Sequence, residues 1–189
     1  MAHWHLRQAA RALRHGGIIA YPTEAVYGLG CDPLNAAAVL RLLTLKNRPM
    51  DKGLILIASD FQQLIPFVRT PDADIMRCIN ATWPGPVTWL LPAKAETPAW
   101  LRGAHETLAV RVTAHPQAAA LCRTFGGALV STSANPTGRP PARYPLRVRH
   151  YFGHYSNGAL DYILSGAVYS HTKPTEIRDA LTGKIIRPA

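Results

Sequence analysis

The chain has 189 residues, of which 48% are hydrophobic and only 17% charged, a balance that supports a sizeable core and argues against disorder. Its net charge of +10 rests on 16 arginines and 5 lysines against 11 acids, which points to an anionic partner, a nucleotide or a nucleic acid. No apolar run approaches the roughly 20 residues of a bilayer span, and the first residues read as an amphipathic helix, not a secretion signal, so a cytoplasmic protein with no membrane partner is expected.

In chain order, a helix is expected from Trp4 to Arg14, stopped by Gly16-Gly17. A short apolar strand, Ile18 to Tyr21, leads into YPTEAVYGLG, residues 21–30. Here Pro22 fixes φ, while Gly28 and Gly30 permit close backbone approach. A ligand lying against Thr23 and Tyr27, or a structural turn with Tyr27 in the core, both suit the pattern. Asn35 caps a helix that runs to Lys46. Gly53 to Ala58 is apolar on both faces and belongs in the middle of a sheet. Asp60 caps a short helix, and Asp72 to Thr82 forms another. Pro86 to Leu91 is a strand followed by a loop. Leu108 to Thr113 is a strand, His115 to Phe125 a helix and Ala128 to Ser131 a strand. Tyr162 to Leu164 and Glu176-Ile177 suggest short strands, and residues 181–184 form the turn of a last hairpin into Ile185–Arg187. Mixed strands and helices imply an α/β fold in a single domain, 1–189.

Standard signatures are missing. There is no P-loop, the Gly28-Leu29-Gly30 run lacks the third glycine of a dinucleotide fingerprint, and no serine sits in a nucleophile elbow. Cys31, Cys78 and Cys122 are odd in number and far apart, as free thiols would be. Neither His3 with His5 nor His150 with His154 has the companions of a metal site, so no metal-binding residues are assigned.

Three segments carry chemistry. Lys46, Arg48 and Lys52 surround a proline turn; their repulsion is offset by solvent or by an anion such as a triphosphate. The helix macrodipole alone accounts for Lys46 well and for Lys52 less well. Arg111, inside LAVRVT, needs a solvated cleft or an acidic partner, since an unpaired buried charge costs several kcal/mol. A substrate carboxylate or a structural salt bridge would serve. Finally, the strand at Leu129-Val130 runs out through Ser131, Thr132, Ser133 and Asn135, groups suited to holding something polar.

These segments, with Trp83 to Thr88 (WPGPVT) and Pro174 to Arg187, occur in an order that resembles the YrdC-like family in its short bacterial form. The resemblance implies a single compact domain with a twisted, mixed parallel and antiparallel sheet, flanked by helices around a basic central cleft. It implies a nucleotidyltransferase that joins L-threonine, bicarbonate or CO2, and ATP into threonylcarbamoyl-adenylate and pyrophosphate. Mg2+ is expected on the ATP phosphates, held mainly by ATP and water. An enzyme complex would then pass the threonylcarbamoyl group to tRNA. Thr23, Arg111, Ser131 and Thr175 would hold threonine. Arg48, Lys52, Ser133, Asn135 and Arg187 would grip ATP. Lys46, Lys52 and Arg111 would act on the reacting groups, Lys46 by supporting phosphates.

Two positions depart from the family pattern: Ile57 stands where some relatives carry histidine, and Thr175 stands where others carry serine. Long-form relatives add a second domain, so any lid here would come from the chain's own loops or tail. A competing reading is a double-stranded RNA-binding or rRNA-maturation factor. It rests on Arg139, Arg143, Arg147 and Arg149 interleaved with Tyr144, Tyr151, Phe152 and Tyr155. A carbamoyl-transfer domain of a larger hydrogenase-maturation protein fits the free-standing length less well.

Overall fold

The computed structural model describes residues 2–153, 160–169 and 175–188. Among these residues, nine strands form one sheet: β1 (Ile19–Pro22), β2 (Tyr27–Gly30), β3 (Ile55–Ala58), β4 (Thr88–Pro92), β5 (Thr107–Val112), β6 (Leu129–Ser133), β7 (Tyr162–Ile163), β8 (Ile177–Asp179) and β9 (Ile185–Arg187). Their order is β7-β1-β2-β6-β3-β5-β4-β8-β9. Pairing is parallel at β1/β7, β3/β5 and β4/β8 and antiparallel elsewhere, so the sheet is mixed as expected.

Among the described residues, six α-helices accompany it: α1 (Ala2–Arg14), α2 (Ala36–Lys46), α3 (Ala73–Asn80), α4 (Ala99–Arg102), α5 (Pro116–Phe125) and α6 (Pro145–Phe152). Side-chain oxygens cap them where the sequence suggests. Asn35 accepts from the Ala38 N–H at 3.0 Å, and Asp72 accepts from the Ile75 N–H at 2.9 Å, each satisfying one orphan donor of a first turn.

Strand β3 is apolar at every position, because around β3 and β6 both faces of the sheet are covered. Successive side chains point to opposite sides. Ile57 and Leu129 pack with Leu6, Leu13, Leu121 and Cys122 of α1 and α5. Their neighbours Leu56, Ala58 and Val130 pack on the other side with Val39 and Leu42 of α2 and Phe152 of α6.

In one part of the chain the structure takes one of the two readings the sequence left open, a turn with Tyr27 in the core, and in another it departs from the expectation. YPTEAVYGLG is a β-hairpin: Tyr21 opposes Gly28 and Pro22 opposes Tyr27. Its glycines make room for protein. A Cβ on Gly30 would lie 2.4 Å from the Val130 carbonyl and 2.8 Å from the Tyr21 ring, and Gly28 faces Tyr21, Thr23 and Ser131. Tyr27 is buried, its hydroxyl donating to the Gly166 carbonyl at 2.5 Å and accepting from the Gly166 N–H at 2.9 Å. The segment after β4, expected as plain loop, contains α4.

Candidate active site

Register places the site. On one face of the sheet, a single rung runs Leu129–Ile57–Arg111–Thr88–Ile177–Arg187 through strands β6, β3, β5, β4, β8 and β9. The next rung carries Ser131, Ile55, Ala109 and Leu90. Helices α1 and α5 cover the β6/β3 end of this face, where Ile57 and Leu129 are fully buried. Toward β9 the same face opens: Ile55, Leu90, Ala109 and Ile177 are only half-buried and line a cavity of about 260 Å³. Arg48, Lys52, Arg102 and Arg187 supply its charge.

Arg48 and Lys52 flank a 3₁₀ turn, Met50–Lys52, between α2 and β3. Arg48 Nη2 donates to the Gly53 carbonyl at 2.9 Å. Burial pushes its guanidinium below the usual arginine value, and Asp51 offsets part of this. Helix α4 supports the turn from behind: the Leu54 N–H donates to Leu101 O at 2.8 Å and the Ala104 N–H to Asp51 O at 3.1 Å. Gly103 makes this contact possible. It has φ of +64°, and a Cβ there would stand 2.3 Å from Asp51 O. Burial, then repulsion from Arg111 and Arg48, also lowers Arg187, so these cations feel one another. An arginine stays ionised despite such shifts.

Arg111 is 4% exposed. Its Nη1 donates to the hydroxyls of Thr88 at 3.2 Å and Thr175 at 2.9 Å. Its Nη2 lies 3.7 Å from Glu24 Oε2, an ion pair too long for a hydrogen bond. Of the two partners that the sequence offers for Arg111, the protein carboxylate is close, while Nε has no partner among the described residues. Glu24, in the hairpin turn, had been given no role. Its Oε1 accepts from Thr113 Oγ1 at 2.6 Å and from the Ala114 N–H at 3.1 Å. Burial would raise this carboxyl, but the Arg111 charge and these hydrogen bonds hold it below its usual value. Only its place beside β5 in space reveals it, since 87 residues separate Glu24 from Arg111 in the chain.

Thr175 ties the two parts together. Besides meeting Arg111, its carbonyl accepts from Arg187 Nη2 at 2.6 Å. Lys173 and Pro174, part of the C-terminal motif, lie outside the described residues. Thr23 donates its hydroxyl to Val26 O at 2.6 Å, closing the hairpin turn. Ser131, 6% exposed, sits on β6 beside Gly28.

Strand β6 extends through the hydroxyl run to Ser133. Beyond it, Lys46 is buried at the end of α2 and donates to the carbonyls of Ser133 and Asn135, the latter at 2.7 Å, and to Asn135 Oδ1 at 3.3 Å. Its three donors are thus engaged by the loop, not left open for phosphate. Burial, with a smaller contribution from Arg48, lowers the amine to about 8. Asn135 Nδ2 donates to Arg139 O at 2.6 Å and fixes the loop from within.

Among the described residues, no group of three or more His, Cys, Asp or Glu is placed to hold a metal ion. The residues that line the cavity include no carboxylate to ligate a magnesium ion from the protein side. His154 and Tyr155 lie outside the described residues. In the basic segment, Phe152 is in the core, while Tyr151 packs against it and donates its hydroxyl to Pro140 O at 3.0 Å. Burial excludes Phe152 from base stacking and, among the described residues of the segment, leaves Tyr144 as the exposed aromatic.

The chain is similar to known proteins over nearly its whole length. The family described as "Telomere recombination", covering Sua5, YciO and YrdC, matches residues 11–189. A Nitrosococcus oceani protein named threonylcarbamoyl-AMP synthase is 57% identical over 184 residues, covering 97% of each chain. One of the same name from Cellvibrio japonicus is 54% identical over 181 residues, covering 96% of this chain and 94% of its own. The structure of P. abyssi Sua5 complexed with L-threonine superposes with a TM-score of 0.89 at 31% identity, over 98% of this chain. This chain spans about half of that one, 54% of its length. On sequence and on fold alike, the chain belongs to the Sua5/YciO/YrdC family.

Proposed function

We propose that this chain is a threonylcarbamoyl-AMP synthase, converting L-threonine, bicarbonate or CO2, and ATP into threonylcarbamoyl-adenylate and pyrophosphate. Relatives of that name at 50–57% identity over nearly the whole chain support the reaction. The observation that carries the reading to particular residues is the shared rung, with Arg111 toward its buried end and Arg187 at the edge of the cavity. We read the rung and the cavity as one basic cleft within a single domain, 1–189.

In this reading, threonine lies with its carboxylate at Arg111, near Thr23, Ser131 and Thr175. ATP lies along Arg48, Lys52 and Arg187, its base over the apolar floor of Ile55, Leu90 and Ile177. Ser133 and Asn135 border the point where the two meet. Lys46 takes a positioning role, holding their loop. Threonine's amine adds to CO2 with loss of a proton, giving a carbamate. A carbamate oxygen then attacks the α-phosphorus in line, and pyrophosphate leaves. No enzyme nucleophile is required. Two anions must approach each other, so fixed cations supply the main electrostatic help. Placing them together contributes up to about 7–11 kcal/mol in favourable systems. Mg2+ rides on the phosphates. The product is handed to the tRNA-modifying complex in the cytoplasm.

The test is pyrophosphate release with ATP and bicarbonate, with and without L-threonine. Release that requires threonine is expected. Absence of release, together with tight salt-sensitive binding of double-stranded RNA, would favour the RNA-binding alternative instead.

A further inference from the structure

Only three buried side-chain nitrogen or oxygen atoms among the described residues lack a hydrogen-bond partner: Glu24 Oε2, Arg48 Nε and Arg111 Nε. Two of them belong to the residues of one ion pair, in which Glu24 Oε2 lies 3.7 Å from Arg111 Nη2. Leaving buried charged groups unsatisfied is costly, so the spacing calls for a physical reason. Glu24 cannot simply close on Arg111. Its other oxygen is pinned by the Thr113 hydroxyl and the Ala114 N–H, at the end of the strand that carries Arg111. Arg111 cannot swing toward Glu24 without giving up Thr88 and Thr175, which hold Nη1.

A closed, two-pronged pair would occupy Nε and Nη2, the edge of the guanidinium that best receives a carboxylate. With no carboxylate nearby, Arg111 would sit buried and uncompensated. The observed 3.7 Å lies between these extremes. We propose that Glu24 is a positioning residue for threonine capture: it neutralises and orients Arg111 by charge while leaving that edge unoccupied for the substrate carboxylate. This rests on the reading of Arg111 as the carboxylate partner of threonine.

Threonine affinity by calorimetry, and the KM values for threonine and ATP from pyrophosphate release, test it in Glu24→Gln, Arg111→Lys and the double variant. Glu24→Gln should weaken threonine binding about tenfold or more with ATP KM within about twofold, and the double variant should be no worse than Arg111→Lys alone within about twofold, as coupled groups behave. A purely structural residue would lower the folded fraction and move both KM values together. If Arg111→Lys weakens threonine binding but Glu24→Gln does not, the role of Glu24 is overturned and the site reading stands. Losses that multiply in the double variant overturn it as well. If the wild type binds no threonine, or Arg111→Lys changes nothing, the site reading fails and takes the proposal with it. Should Glu24→Gln not fold, Glu24→Asp keeps the charge but withdraws it from Thr113 and Ala114. An intermediate loss is then expected, and wild-type threonine affinity would overturn the proposal.

Discussion

Arg111 and Lys52 are both cations of the candidate site, yet the protein holds them by opposite means. Arg111 is buried, with two hydroxyls on one nitrogen and a carboxylate opposite another. Lys52 is exposed, at the end of the 3₁₀ turn that follows Arg48, and it lines the cavity with Arg102 and Arg187 and no acid. A buried charge must have its counter-charge built into the fold, because solvent cannot supply it. Exposed cations can repel one another at modest cost, because water and salt screen them. In the proposed reading the buried end suits a small ligand in one orientation, and the open end suits a mobile polyanion.

That contrast breaks most visibly at Arg111. Arg111→Lys keeps the charge opposite Glu24 and loses the planar fork. Threonine kcat/KM should fall about 100-fold, with ATP KM changed less than about threefold. Lys52→Ala should do the reverse and less steeply. ATP KM rises about tenfold and threonine KM hardly moves, and the defect shrinks as wild-type binding weakens in high salt. Equal effects of both changes on both substrates, measured by pyrophosphate release, would erase the distinction.

How far the sequence reveals these two ends follows from how local each one is. Lys46, Arg48 and Lys52 lie within seven residues, so a cationic turn before a buried strand is visible directly. The helix caps at Asn35 and Asp72 are local too. Arg111 stands out because a charge interrupts a period-2 apolar strand. Glu24 does not stand out. Its role depends on a hairpin turn reaching the end of a strand almost half the chain away. The close approach that Gly28 and Gly30 permit was legible, but not that it admits Tyr21 and β6 rather than a ligand. Helix α4 is four residues long, too short for periodicity to register. Lys46 was legible as a cation but not as the anchor of a loop that begins 87 residues later.

Gly103 tests the support beneath the open end. Gly103→Ala must place a Cβ at positive φ and against Asp51 O, so a stability loss of about 1–3 kcal/mol is expected in thermal denaturation. Because the contact displaced is with the turn that bears Lys52, ATP KM should rise in the folded variant while threonine affinity stays near wild type. A matched loss for both substrates would show that the two ends do not move independently.

The smallest effect concerns pH. Lys46 titrates at about 8 in the folded chain against an ordinary 10.5, because burial first and Arg48 second disfavour its charge. The unfolded chain therefore holds more proton between these values, and this group adds stability as pH climbs from about 8 toward 10.5. Its effect on the loop runs the other way. An ammonium donates to all three acceptors around it, whereas a neutral amine has two donors and turns a lone pair toward the third. The Ser133–Asn135 loop should loosen as the proton leaves. ATP affinity, read by calorimetry so that the substrate amine's own titration does not intrude, should fall about two- to threefold between pH 7 and pH 9, the scale of one weakened hydrogen bond. Lys46→Met should bind ATP more weakly at every pH and show no step near 8. A wild-type profile flat across that range would mean that the Lys46 charge does not hold the loop. The open end would then depend on Arg48, Lys52 and Arg187 alone.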